Sequence, residues 1–93
     1  MKYQFSDKFK IKNIGDENIV VAKGSAVLDY SAVIVPNESG IFMLSYLEKP
    51  TIVDELATAL AEKYSIDKSL ALVDVNAFLE KSINEGIVIT MED

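Results

Sequence analysis

The hydrophobic period changes at Pro36, and that change limits the fold more than any other feature of the chain. Upstream, Phe9-Lys10-Ile11-Lys12-Asn13-Ile14 alternates apolar and polar residues, the pattern of a strand with one buried face. Gly15-Asp16-Glu17-Asn18 supplies turn chemistry and Ile19-Val20-Val21-Ala22 is a second β-branched run, which predicts a hairpin that Lys23-Gly24-Ser25 closes. A third run, Tyr30-Ser31-Ala32-Val33-Ile34-Val35, ends at Pro36, whose missing N–H and fixed φ stop strand pairing. This part of the chain therefore predicts a three-stranded antiparallel meander.

Downstream the period is about 3.6. Asn37 is a good N-cap, and Ile41, Met43, Leu44 and Leu47 line one side of a short first helix that must stop before Pro50. A second helix starts at Thr51, with Asp54 at its third position and Glu55 beside it. Ile52, Leu56, Leu60 and Tyr64 recur every four residues, flanked by Val53 and Ala57, and carry this helix to about Lys63. Ser65-Ile66-Asp67-Lys68-Ser69 links to a third helix, from about Ser69 to Glu85, which Gly86 ends as a left-handed C′ residue. On its wheel Val75, Phe78, Leu79, Ser82 and Ile83 form the core side, and Leu70, Asp74, Ala77 and Lys81 form a neighbouring stripe. Ile87-Val88-Ile89-Thr90 is a short β-prone tail, and Met91-Glu92-Asp93 is expected to fray. The fold class is α+β in the order βββααα, a single domain over residues 1–93.

Composition excludes whole classes of function. The 93 residues include no Cys, no His and no Trp, and all nine cationic residues are Lys. There is thus no thiolate nucleophile, no Zn–thiolate site, and neither the usual general base nor the commonest metal ligand. A serine such as Ser39 or Ser82 has no recognisable activating base, so we expect no catalytic residue and no enzyme. Asp16/Glu17 and Asp54/Glu55 have local explanations in a turn and a first helical turn. Asp74-Val75-Asn76 lies in a helix pattern without the glycine and distal Glu of a calcium loop, so no metal site is expected. No Gly-rich phosphate loop occurs, and no cofactor is expected. Tyr30, Tyr46 and Tyr64 read as half-buried packing residues with wet hydroxyls.

Charge points the same way. Residues 1–23 hold five Lys against three acids, and residues 24–93 hold four Lys against twelve acids. An Arg-free chain of net charge −6 is a poor phosphate binder, whereas its acidic surface suits a basic peptide or protein. No nucleic-acid partner is expected. The start has no apolar signal core and no stretch approaches a membrane span, which predicts a cytoplasmic protein with no membrane contact.

Taken in order, Pro36-Asn37-Glu38-Ser39-Gly40, an apolar helix, Thr51-Ile52-Val53-Asp54-Glu55-Leu56, Leu60, Tyr64, Asp74-Val75, Phe78-Leu79 and Gly86-Ile87-Val88 resemble the PqqD family. These are the small winged helix-turn-helix-like domains called RiPP recognition elements, and the resemblance covers about residues 9–89. Two departures stand out. Glu48-Lys49-Pro50 occupies a turn that commonly carries Gly, and Ser82 replaces a bulky aliphatic, which opens space beside the third helix.

The resemblance implies binding of the leader segment of a ribosomally made precursor peptide, which is then presented to a maturation enzyme. Radical SAM proteins, cyclodehydratases and leader peptidases are all possible enzyme partners. The leader would pair with the edge of the third strand at Ser31, Ala32, Val33, Ile34 and Val35, unless Ile87 to Thr90 covers that edge. Its side chains would enter a groove beside Leu70, Val73, Asp74, Ala77, Phe78 and Lys81 of the third helix, where Asp74 and Lys81 read charge. The same edge would support at most a weak homodimer, so the protein is expected as a monomer or weak homodimer. The rival readings are a winged-helix DNA-binding domain and a structural subunit that docks on a protein. Asp74, Glu80 and Glu85 against Lys81 give the third helix the wrong sign for the first of these.

Overall fold

A computed structural model describes residues 1–22 and 37–92. The elements are β1 (Lys2–Phe5), β2 (Phe9–Ile14), β3 (Glu17–Ala22), α1 (Glu38–Tyr46), α2 (Val53–Tyr64), α3 (Lys68–Asn84) and β4 (Val88–Met91). The chain is thus α+β, with three helices and antiparallel strands among the described residues. The expected third strand, Tyr30 to Val35, lies outside them.

The first hairpin forms where the alternation placed it. β2 and β3 pair antiparallel from Phe9 opposite Ala22 to Ile14 opposite Glu17. The connection is shorter than expected: Gly15 and Asp16 form a two-residue loop, and Glu17 and Asn18 already belong to β3. Gly15 takes φ +63°, the positive value that the first position of such a loop needs and that a side chain disfavours. Asn13 donates from Nδ2 to Asn18 Oδ1 at 3.2 Å, a side-chain link across the ladder.

Two features correct the expected βββααα order. A strand, β1, precedes Phe9, and it pairs antiparallel with β4 at the far end of the chain, Lys2 opposite Met91 and Phe5 opposite Val88. The described strands accordingly lie in two two-stranded sheets, β1 with β4 and β2 with β3. Met91 is held in this ladder rather than frayed. Lys2-Tyr3-Gln4-Phe5 does alternate, but four residues carry too little periodic signal to be told from a loop.

β1 also corrects the start of α2. Thr51 does not cap that helix, because its backbone is committed to β1: Tyr3 N donates to Thr51 O at 2.8 Å and Thr51 N to Tyr3 O at 2.9 Å. Its hydroxyl donates to Lys49 O. The N-cap is Ile52, which has no capping side chain, and Glu55 rather than Asp54 falls at the third helical position. By contrast α1 is capped as its sequence predicts, Asn37 Oδ1 accepting from Gly40 N at 2.8 Å. α3 ends before Gly86 at φ +78°, as a left-handed C′ glycine should.

The core gathers Leu44, Leu47, Leu56, Leu60, Val75 and Val88, all fully buried, with Phe9 and Val20 from the hairpin. The buried positions of α3 are Ala71, Val75, Leu79 and Ser82. Phe78 is half-buried, and Ile83, expected on the core side, is 37% exposed. The core stripe of α3 therefore runs one residue to the other side at its C-terminal end, where the turn at Gly86 carries the chain into β4. Around α1 and α2, Phe42 meets Tyr64 edge-on at 84° with ring centroids 6.2 Å apart. The Tyr64 hydroxyl is buried without a hydrogen-bond partner among the described residues. Burial, and secondarily the Glu38 carboxylate, push its pKa above the usual 10.0.

Two outcomes follow from this packing. Tyr3→Pro removes the donor to Thr51 O from inside β1, and urea unfolding should register a loss of about 1–3 kcal/mol. In Tyr64, the folded state holds the phenolic proton more tightly than the unfolded chain does. Its contribution to stability is therefore complete below pH 10.0 and falls as pH rises through the higher folded value. Tyr64→Phe should flatten that alkaline fall and leave the neutral-pH urea midpoint unchanged or raised.

Candidate functional site

Beside α3 the described residues enclose a cleft of about 460 Å³, within the range of roughly 300–1,000 Å³ usual for ligand pockets. Three elements build it. β3 contributes Val20, α1 contributes Gly40, Met43 and Leu44, and Ile87 closes the end beyond α3, the third of these elements. These form an apolar floor, with Val20, Met43, Leu44 and Ile87 all buried.

α3 forms the long wall. Asp74, Ala77, Phe78, Lys81, Ser82 and Glu85 face the cleft at the three- and four-residue spacings that keep side chains on one side of a helix. Phe78 is half-buried and Ser82 buried, while Asp74, Ala77, Lys81 and Glu85 are exposed at the rim. Ser82 stands where a larger aliphatic residue would project into this space. The rim carries two carboxylates against one ammonium, and among the described residues none of Asp74, Lys81 and Glu85 has an ion-pair partner. On the opposite bank Asn37 and Ser39 line the cleft, but their polar atoms are engaged in the helix cap: Ser39 Oγ donates to Asn37 Oδ1 at 2.9 Å.

Of the residues singled out from sequence, Asp74, Ala77, Phe78 and Lys81 line the cleft together. Leu70 and Val73 lie nearer the start of α3, outside the lining, and are 57% and 64% exposed. Ser31, Ala32, Val33, Ile34 and Val35 lie outside the described residues. Sequence reasoning did not place Val20, Asn37, Gly40, Met43, Leu44 or Ile87 in a site. Its own patterns made them core, cap or strand residues, and only packing of three separate elements brings them to one cavity. Glu85 alone carried a local signal, since it extends the stripe one turn beyond Lys81.

The arrangement combines an apolar floor, a charged rim and a neighbouring strand, β3. Among the described residues no group of three acidic side chains is placed to hold a metal ion, and no helix is long and apolar enough to cross a membrane.

Two solved structures share this fold over nearly the whole chain. One is TbiB1 in complex with the TbiA(beta) leader peptide. It has a TM-score of 0.76 and 22% identity, and the match covers 97% of this chain and 99% of that one. The other is the solution structure of the PqqD truncation of PqqCD from Methylobacterium extorquens, which is described as a functional, stand-alone RiPP recognition element. Its TM-score is 0.74 at 10% identity, with 96% of this chain and 89% of that one covered. At such identities the likeness is one of fold. No curated protein matches the sequence. The family model of coenzyme PQQ synthesis protein D matches residues 24–88, from just after the hairpin to the first residue of β4, and the chain therefore belongs to the PqqD family.

Proposed function

We propose that this protein is a RiPP recognition element that captures the leader segment of a ribosomally made precursor peptide and presents the precursor to a modifying enzyme. The observation that carries the reading is the cleft itself: an apolar floor beside a rim whose charges make no ion pair among the described residues. The reading is further supported by membership of the PqqD family and by the fold shared with a protein solved in complex with a leader peptide.

The binding mode is strand addition. The leader pairs with the run Ser31 to Val35, which lies outside the described residues, and Val20 of β3 lines the floor of the cleft that takes its side chains. Backbone hydrogen bonds supply affinity regardless of side chain, and alternate leader residues drop toward Met43, Leu44 and Phe78 for selectivity. The rim adds a preference. Asp74 and Glu85 outnumber Lys81, so a leader with an apolar anchor followed by a cationic residue fits best. The protein contributes position rather than catalysis, and the bond-making step belongs to its partner, for which a radical SAM protein, a cyclodehydratase or a leader peptidase is suitable. The acidic rim also opposes a duplex phosphate backbone along α3.

The test is an amide NMR titration of the labelled protein with the leader of a short open reading frame encoded beside it. Saturable shifts should concentrate on Ser31 to Val35 and on the α3 residues from Leu70 to Glu85. In Ser82→Leu the added side chain occupies the cleft, and the leader should bind about tenfold more weakly, about 1.4 kcal/mol, while dispersed amide spectra show that the variant is folded. Shifts confined to other surfaces, or unchanged affinity in the folded variant, would overturn the assignment.

A further inference from the structure

The register of the first hairpin decides which backbone groups of β2 stay free. Gly15 and Asp16 form a two-residue loop, so Ile14 and Glu17 close it as a hydrogen-bonded pair. Antiparallel pairs alternate, and Lys12 with Ile19 and Lys10 with Val21 therefore carry the next ladder bonds. Phe9, Ile11 and Asn13 turn their N–H and C=O the other way, to the side of β2 that has no strand among the described residues. There Phe9 N donates to Ser6 O at 3.3 Å, whereas Ile11 and Asn13 make no backbone bond on that edge among the described residues.

The side chains along this edge alternate in kind. Phe9 is buried and Ile11 packs against the core, while Lys10 and Lys12 project from the opposite face and are exposed. Neither lysine has an ion-pair partner among the described residues. Their positions repeat every second residue, about 7 Å along the strand, which is also the repeat of same-face side chains in any strand laid beside β2. A second copy of β2 is disfavoured there, because like charges would meet across the new ladder. The same two charges favour a strand of opposite sign. With a net charge of −6 the whole chain repels a long polyanion, so a short acidic segment is the occupant that fits.

We propose that the outer edge of β2 docks an extended acidic segment of a partner protein by strand addition. Ile11 and Asn13 supply the backbone donors and acceptors. Lys10 and Lys12 then fall at the alternate positions of the new pair, where facing side chains come closest, and each meets a carboxylate. The residue between the two acids lies opposite Ile11 on the core-side face and is apolar. The recognised pattern is therefore acid, apolar, acid in extended form. The inference stands apart from the leader reading, since this edge is on the side of β2 away from β3, and β3 is the strand that lines the cleft.

The probe is the peptide acetyl-Thr-Glu-Val-Glu-Thr-amide, titrated into the labelled full chain and followed by amide NMR. Two controls accompany it: the same peptide with N-methylvaline, which lacks the N–H that faces the edge, and acetyl-Thr-Lys-Val-Lys-Thr-amide. The acidic peptide should give saturable shifts centred on the Ile11 and Asn13 amides and leave Asp74 and Lys81 unmoved. Both controls should give none. In the double variant Lys10→Glu, Lys12→Glu, whose exposed positions leave the fold intact by its dispersed spectrum, the acidic peptide should bind roughly tenfold more weakly and the lysine peptide should now bind. An absence of saturable shifts at Ile11 and Asn13 up to about 5 mM, equal binding of the N-methylated or the lysine peptide, or unchanged binding in the folded double variant would each overturn the proposal. Failure of the leader reading is separable, because it appears in the leader titration at Asp74 and Lys81 with the response of the β2 edge intact.

Discussion

The architecture hangs on the backbone of β1. One edge of this four-residue strand carries β4, and the other bonds to Thr51, while Phe5 N and Ser6 N donate to Leu47 O and Ile87 O at 2.8 Å each. Gln4 adds a side-chain bond to Glu48 O. One short segment thereby joins the corner between α1 and α2 to the segment that follows α3. Backbone pairing of this kind depends little on side chains, but it fixes distance and direction, and leaving such groups unpaired in a buried setting costs more than forming them gains. With the α1–α2 corner and Ile87 tied to the same strand, α1 and α3 are held at a set separation, and the cleft is the space between them.

What that space can do follows from which residues border it. The floor is drawn from the core itself, so Val20, Met43 and Leu44 are positioned by packing that also stabilises the fold. The rim residues of α3 are exposed and make no ion pairs among the described residues, which leaves their charges available to a ligand.

Much of the fold was legible because local rules and tertiary structure agreed. The β2–β3 hairpin, the Asn37 cap, the apolar stripe of α2 and the glycine stop after α3 each follow from a few adjacent residues. Where reading failed, a distant partner had intervened. Thr51 looks like an N-cap until Tyr3 claims its backbone. Ile83 looks like a core residue on an ideal wheel, yet the turn into β4 leaves it exposed. Lys2 to Phe5 looks like a loose start until Val88 to Met91 arrives to pair with it. Half of the site was visible in the same sense. Asp74, Ala77, Phe78 and Lys81 form a stripe by helical spacing, whereas nothing local says that Val20 or Gly40 stands opposite them.

By itself the sequence determined the period change at Pro36, the helices and hairpin, the acidic balance, and the absence of the side chains on which thiol, imidazole and zinc chemistry depend. Those are properties of composition and of residues within a few positions of one another, which backbone geometry converts directly into elements. Only the tertiary structure decided that the ends of the chain pair with each other and that three separate elements share one cleft. Each of these is a relation between residues far apart in the chain, set by which surfaces bury together, and no local periodicity encodes it.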